Sequence, residues 1–358
     1  MTADERRVTI AAIADAAGVS VPTVSRVLNG RTDVAAATRE RIEQLLRDQG
    51  YRRRNSRRPG RAQVLDVVFD ELDSPWAVEL IRGVADVAQA AGAGTVVSAV
   101  HHDETATRQW LRNLRSRACD GVVFVLAPAA APIHIQLRRL HIPVVVIDPS
   151  GGATADVATV GATNWAGGLS VTEHLIALGH RRIGLIAGPR ALACSRARLD
   201  GYRAALAAAG IGFDAALVVQ GDFQHESGYL SGGRLLDLAE PPTAVFATSD
   251  QMALGVYEAA RRRGLRVPAD LSVAGFDDLP EARWSSPPLT TVRQPLAEMG
   301  GLAAHTVLRL ARGEALQAPR VELATELVVR HSTAPPPEKF AKTGEKAPVT
   351  SRSPRSAR

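Results

Sequence analysis

The chain has 358 residues, 46% of them apolar, which is enough for several buried cores and unlike a disordered protein. No run approaches the roughly 18 apolar residues that span a bilayer, and the charged amino terminus has no apolar leader; the expected setting is the cytoplasm, with no membrane partner. Only Cys119 and Cys194 occur, supporting neither a disulfide framework nor a thiolate metal site. The net charge of +6 is uneven: residues 1–62 carry 13 basic and 7 acidic groups, residues 63–331 carry 24 and 28, and residues 332–358 carry 6 and 2.

Residues 8–29, VTIAAIADAAGVSVPTVSRVLN, read as two short helices around a tight turn. Ile10, Ile13, Ala14 and Ala17 recur three and four apart as one apolar stripe. Gly18 suits a helix end with positive φ, Ser20 can cap the next helix, and Pro22 falls in the first turn, where its missing N–H costs little. Val24, Val27 and Leu28 face inward, leaving Val21, Pro22, Thr23, Ser25 and Arg26 outward. A short helix with a hydroxylated, cationic face, in a basic segment, fits a DNA major groove. Residues 36–50 supply a third helix with Ile42, Leu45 and Leu46 on one face, closing an all-α head over 1–50.

Residues 51–62 form a basic linker, RRRNSRRPGR at its centre, that is either a solvated tether or an arm along DNA phosphates. From residue 63 onward, continuous apolar runs alternate with helical patterns: 64–69, 95–100, 121–126, 143–148, 182–188, 216–222, 243–250 and 271–278. Strands buried on both faces with crossover helices make parallel, doubly wound sheets. The irregular stretch 149–163 splits the eight runs four and four. The expected fold is therefore a helix-turn-helix head plus an α/β body of two such lobes, like a periplasmic binding protein, over 63–331. Lobe 1 is expected over 63–162 and 292–320, and lobe 2 over 163–291 and 321–331. VELATELVVRHS (321–332) supplies closing strands, and the Pro-, Ser- and Lys-rich 332–358 reads as a disordered tail.

Ligands of such sheets sit at the carboxyl ends of the strands. Those ends carry Asp70, Asp148, Arg190, Phe223, Ser249, Asp250, Asp277 and Asp278, a set suited to a polyhydroxylated ligand. For Asp148 and Asp250, capping of the following helix is an equal reading.

Long ungapped stretches carry a resemblance to the lactose/galactose repressor family of bacterial transcription factors: the head motif with Tyr51, DSPWAVELIRGV (73–84), VGATNWAGG (160–168), HLIALGHRRIGLIAG (174–188), SRARLDGYRAAL (195–206), 249–278 and PPLTTVRQPLAEMG (287–300). The resemblance implies a repressor in which a homodimer, or a tetramer, spaces two heads over a palindromic operator, and a sugar bound between the lobes controls DNA binding. It implies DNA contacts from Thr9, Ser20, Val21, Pro22, Thr23, Ser25, Arg26 and Asn29, to which the linker's own charge adds Arg53, Arg54, Arg57 and Arg58. It implies effector contacts from Asp70, Trp76, Asp148, Asn164, Arg198, Phe223, Ser249, Asp250 and Asp277. Ser249 stands where Asn is common and Thr163 replaces an Asp, but two departures matter more: the linker lacks the leucine of the usual hinge helix, and Pro22 stands where a polar base reader is common.

An α/β enzyme acting on a sugar or nucleotide, with an accessory DNA-binding head, is the rival reading. FDELDSPW stands where a glycine-rich phosphate loop would follow the first strand, and no G-x-S-x-G or H-E-x-x-H occurs. His101–His102 and His225–Glu226 are neighbours whose side chains diverge, so no metal and no cofactor is expected.

Overall fold

A computed structural model describes residues 9–28, 31, 33–49, 63–100, 104–117, 119–127, 132–150 and 157–337. Asn29, Tyr51, His101–His102, the four linker arginines and residues 338–358 lie outside the described residues.

The head comprises α1 (Ile10–Ala17), α2 (Val21–Leu28) and α3 (Ala36–Asp48). Thr9 opens α1, its hydroxyl accepting from the Ala12 amide at 3.2 Å, and Gly18 closes it at φ 62°. α2 then leaves at 107° to α1. Ile13, Ala14, Ala17, Val24, Val27 and Ile42 form the buried centre that joins the three helices. The third helix stops at Asp48, two residues short of the expected glycine.

The chain continues through β1 (Gln63–Phe69), α4 (Pro75–Ala90), β2 (Ala93–Ala99), α5 (Glu104–Arg117), β3 (Gly121–Val125), α6 (Pro132–Arg139), β4 (Val144–Ile147) and β5 (Ala158–Ala162). It then runs through α7 (Asn164–Ala177), β6 (Ile183–Ala187), α8 (Ala193–Ala208), β7 (Val218–Gln220), α9 (His225–Leu236), β8 (Ala244–Ala247) and α10 (Asp250–Arg262). β9 (Ser272–Asp277), α11 (Pro280–Trp284), β10 (Thr290–Arg293), α12 (Leu296–Ala311), β11 (Arg320–Leu323) and β12 (Glu326–Val328) complete it.

These elements form two six-stranded sheets, ordered β11-β5-β4-β3-β1-β2 and β12-β10-β9-β8-β6-β7. Pairing is parallel from β5 to β2 and from β10 to β7, while β12 runs antiparallel to β10. All-buried strands such as β3, β4, β6 and β8 carry the near-continuous apolar runs of a sheet covered on both faces.

The chain divides into one unit of residues 1–161 and 296–322 and a second of 162–295 and 323–358. The expected boundaries miss these crossings by one to four residues, the largest miss arising because β10 belongs to the second sheet. Two further strands are not legible as apolar runs. β5 lies inside the stretch expected to be irregular, since ATVGA is short and small-residued, yet all five residues are buried. β10 is polar by sequence, although Thr290 and Thr291 are fully buried.

Residues 332–337, expected to belong to the tail, are held to the body. Ser332 is buried, its hydroxyl donating to the Val273 carbonyl at 2.6 Å and accepting from the Thr290 amide at 2.7 Å. The Ala334 amide donates to Ser272 Oγ at 3.0 Å, the Ala334 carbonyl lies 2.9 Å from His180 Nε2, and Thr333 Oγ1 lies 2.9 Å from His174 Nε2. Satisfied backbone groups, rather than apolar side chains, fix this strap, and composition could not show that.

Candidate DNA-reading face and effector site

On α2, Val21, Pro22 and Arg26 are exposed, Thr23 and Ser25 half-buried, and Val24 and Val27 buried, as the apolar periodicity requires. Ser20 Oγ and Thr23 Oγ1 share a hydrogen bond of 2.9 Å that ties the turn to the helix start. Arg26 Nε stands 3.8 Å from Asp33 Oδ2 with both side chains more than half exposed, a pair weak enough to exchange for a nucleic-acid acceptor. Thr9 already serves as the α1 cap.

The second unit gathers its candidate residues around Arg198. Gly168 and Gly201 let α7 and α8 touch backbone to backbone: a Cβ on Gly168 would lie 2.4 Å from the Arg198 carbonyl oxygen, and one on Gly201 would lie 2.2 Å from that of Trp165. This close approach carries Arg198, only 3% exposed, over the sheet's carboxyl edge. Its Nε donates to Asn164 Oδ1 at 2.9 Å and its Nη1 to the Thr248 carbonyl at 2.6 Å, with Asp277 Oδ1 3.7 Å from the same nitrogen. The guanidinium lies 3.7 Å from the Phe276 ring centroid and 5.5 Å from that of Phe223. Phe223 holds φ 78°, and its ring covers Gly188 so closely that a Cβ there would come within 2.1 Å of it. Ser249 Oγ donates to the Phe223 carbonyl at 2.9 Å and accepts from the Met252 amide at 3.2 Å, so it caps α10 while fixing the aromatic.

Asp250 departs from the expected wall of ligand contacts. It is 1% exposed; Oδ2 accepts from the Leu279 amide at 2.8 Å and Oδ1 from the Thr291 hydroxyl. Burial, then the charge of nearby Asp277, hold its carboxyl well above the usual carboxylate range. Asp250 is a strut joining α10, β10 and the loop after β9. Arg190, another strand-end residue, is exposed and donates to Gln220 Oε1 at 3.1 Å.

Sequence reasoning missed Gln294. It is 3% exposed, its Nε2 donates to Asp277 Oδ1 at 2.6 Å, and its buried Oε1 makes no hydrogen bond among the described residues. Only recognition of the polar strand β10 would have placed it at a strand end. Phe276 and the Thr248 carbonyl were missed for a simpler reason: an interior aromatic and a backbone oxygen carry no signal of their own.

In the first unit Asp70 follows β1, Asp148 follows β4, and Trp76 opens α4, where its amide donates to Ser74 Oγ at 3.3 Å. Asp148 is buried with φ 44°, its amide donating to the Val160 carbonyl at 2.9 Å. All three lie at the carboxyl edge of the first sheet. Among the described residues, no three His, Cys, Asp or Glu side chains are grouped to hold a metal ion, and no single helix is long and apolar enough to cross a membrane. Both cysteines are buried, and burial pushes the Cys119 thiol up to about 12.

Residues 9–54 match the bacterial regulatory proteins of the lacI family, and residues 172–333 match the periplasmic binding protein-like domain. The chain is 34% identical to the transcriptional repressor CytR of Escherichia coli K12 over 92% of its own length and 97% of that protein. It belongs to the lacI family. This lacI-family chain also superposes on a complex of the regulator CelR with cellobiose, at 34% identity and TM-score 0.70, covering 91% of this chain and all of that one. On the lac repressor dimer bound to operator and the anti-inducer ONPF the values are 29% and 0.67, covering 92% and 100%. The chain is thus a helix-turn-helix transcriptional regulator whose DNA binding is under effector control, and not an enzyme.

Proposed function

We propose that this regulator is a homodimeric repressor of the cytoplasm that binds a palindromic operator through α2 and responds to a sugar or short oligosaccharide at the Arg198 site. The observation that carries the reading is the buried Arg198–Asp277 pair at 3.7 Å, flanked by the Phe223 ring and the unbonded Gln294 Oε1. A carboxylate, a guanidinium and an amide oxygen can accept and donate to paired hydroxyls, while an aromatic face covers the C–H side of a sugar ring. Asn164 is assigned to the same ligand, Ser249 acts through Phe223, and Asp250 is withdrawn from contact; Asp70, Trp76 and Asp148, at the carboxyl edge of the first sheet, are assigned to effector binding by the family resemblance alone. The CelR complex with cellobiose supports a saccharide. In the linker, Arg53, Arg54, Arg57 and Arg58 act as an arm along phosphates.

Calorimetric titration of the full chain with cellobiose, ribose and a set of nucleosides tests this assignment. Saccharide binding that is lost in Asp277→Ala is expected. Binding confined to nucleosides, or a saccharide affinity indifferent to Asp277, would contradict it.

A further inference from the structure

Asp277 and Asp278 are consecutive non-glycine residues at φ 123° and 57°, a backbone pair that persists only where its surroundings hold it. The hold is on Asp278. Its side chain is 1% exposed, and three arginines converge on it: Arg293 Nε at 2.8 Å, Arg330 Nη2 on the other oxygen, and Arg283 Nη2 at 3.9 Å. Arg293 also reaches Glu326 Oε2 through Nη1 at 3.0 Å, and Arg330 donates to the Leu289 carbonyl at 2.8 Å. Strand register explains the convergence, since Arg293 lies opposite Asp277 across β9–β10 and opposite Glu326 across β10–β12.

The surroundings of this clamp make it more than a brace. Asp277 carries the carboxylate that meets Arg198, and the residue after Arg293 is Gln294, which binds Asp277 through both its backbone amide, at 3.2 Å to the carbonyl, and its side chain. Arg293 stands just before the chain crosses to the first unit at 295/296, and Glu326 stands just after it returns at 322/323. The two crossing strands thus meet the Asp277–Asp278 turn through one arginine.

We propose that Asp278 is a positioning residue for Asp277, clamped by Arg293 and Arg330, and that this clamp links effector contact at Asp277 to the crossing strands β10 and β12. The proposal rests on the sugar-site reading for its functional meaning, but not for its first test. When the clamp is loosened, the strained turn relaxes, and Asp277 loses its fixed aim while the rest of the second unit stays folded.

Hydrogen exchange of the ligand-free full chain reads this directly, because the Leu279 amide donates to Asp250 Oδ2 from within the turn. Arg293→Gln should speed exchange over residues 276–281 at least tenfold while leaving β6 and β8 unchanged, and Arg293→Lys, which keeps one cationic donor for Asp278, should fall between. Arg263→Gln, which breaks the separate Asp237 pair, should leave 276–281 at the wild-type rate. If Arg293→Gln fails to fold, Glu326→Gln at an exposed carboxylate should still give a smaller local increase. An unmoved turn, or faster exchange spread evenly over the sheet, overturns the proposal. A second arm titrates cellobiose and ribose: where the wild type binds, Arg293→Gln should bind at least tenfold more weakly, and equal binding contradicts the link. If neither sugar binds the wild type, the sugar reading fails, and the exchange arm still decides the clamp.

Discussion

Arg26 shows how little of a recognition surface need be polar. Its neighbours on the exposed face of α2 are Val21 and Pro22, so the one cationic fork there has few side chains to share base reading with. Guanine offers paired acceptors to such a fork in the major groove. Arg26→Ala should therefore cost about 1–3 kcal/mol on the operator and relax preference at one base pair, measured by competition against single-base operator variants. Equal loss on operator and random DNA would assign Arg26 to phosphate alone. Asp277 and Phe223 were legible as strand-end residues with chemistry of their own, whereas Arg198 and Asn164 were legible only through the family resemblance. Asp250 looked the same in the sequence and turned out to be a strut, because only the fold reveals that the Leu279 amide and the Thr291 hydroxyl already occupy its oxygens.

At the scale of elements, apolar runs marked eight of the strands, the central ones because burial on both faces forces an unbroken hydrophobic stretch. β5 and β10 escaped because their side chains are small or hydroxylated, and the strap at 332–337 escaped because its hydrogen bonds go to backbone and to histidine. That strap supplies a pH dependence. Burial lowers His180 below its ordinary 6.5, with the nearby His174 charge adding to the effect, and burial lowers His174 as well. The folded state thus favours the neutral rings: their contribution is fully present above about pH 6.5 and is lost as pH falls through the lower folded values. For His180, each unit of lowering corresponds to about 1.4 kcal/mol. The melting temperature should fall between pH 7.5 and pH 5, with lower protection factors for the amides of 332–334, and His180→Gln should flatten the fall. A melting temperature indifferent to pH in the wild type would show that the strap does not depend on neutral rings.

Across the whole molecule, the basic residues 1–62 contrast with an acidic body, and the linker concentrates six arginines between residues 52 and 61 without a leucine to wedge between bases. A linker of that kind is expected to act by charge. Replacing Arg53, Arg54, Arg57 and Arg58 with Gln should weaken operator and random DNA alike. The log K against log salt slope should become shallower, by up to about 0.9 for each phosphate no longer neutralised. A sharp operator kink in a bending assay, or an unmoved salt slope, would return the linker to the usual hinge of the family. The division into head and two lobes was legible because each has its own periodicity. The crossing points were legible only approximately, because they depend on which sheet takes β10.

Occupancy of the Arg198–Asp277 site should change operator affinity, and on that coupling the proposed function stands or falls. Fluorescence anisotropy on a palindromic operator, with and without saturating saccharide, measures it in wild type and in Asp277→Asn. The expected result is at least a roughly tenfold change in wild-type Kd, about 1.4 kcal/mol of coupling. In Asp277→Asn the change should disappear while ligand-free affinity stays near the wild-type value. An operator affinity that no saccharide moves, or a response that survives in Asp277→Asn, would contradict the coupling.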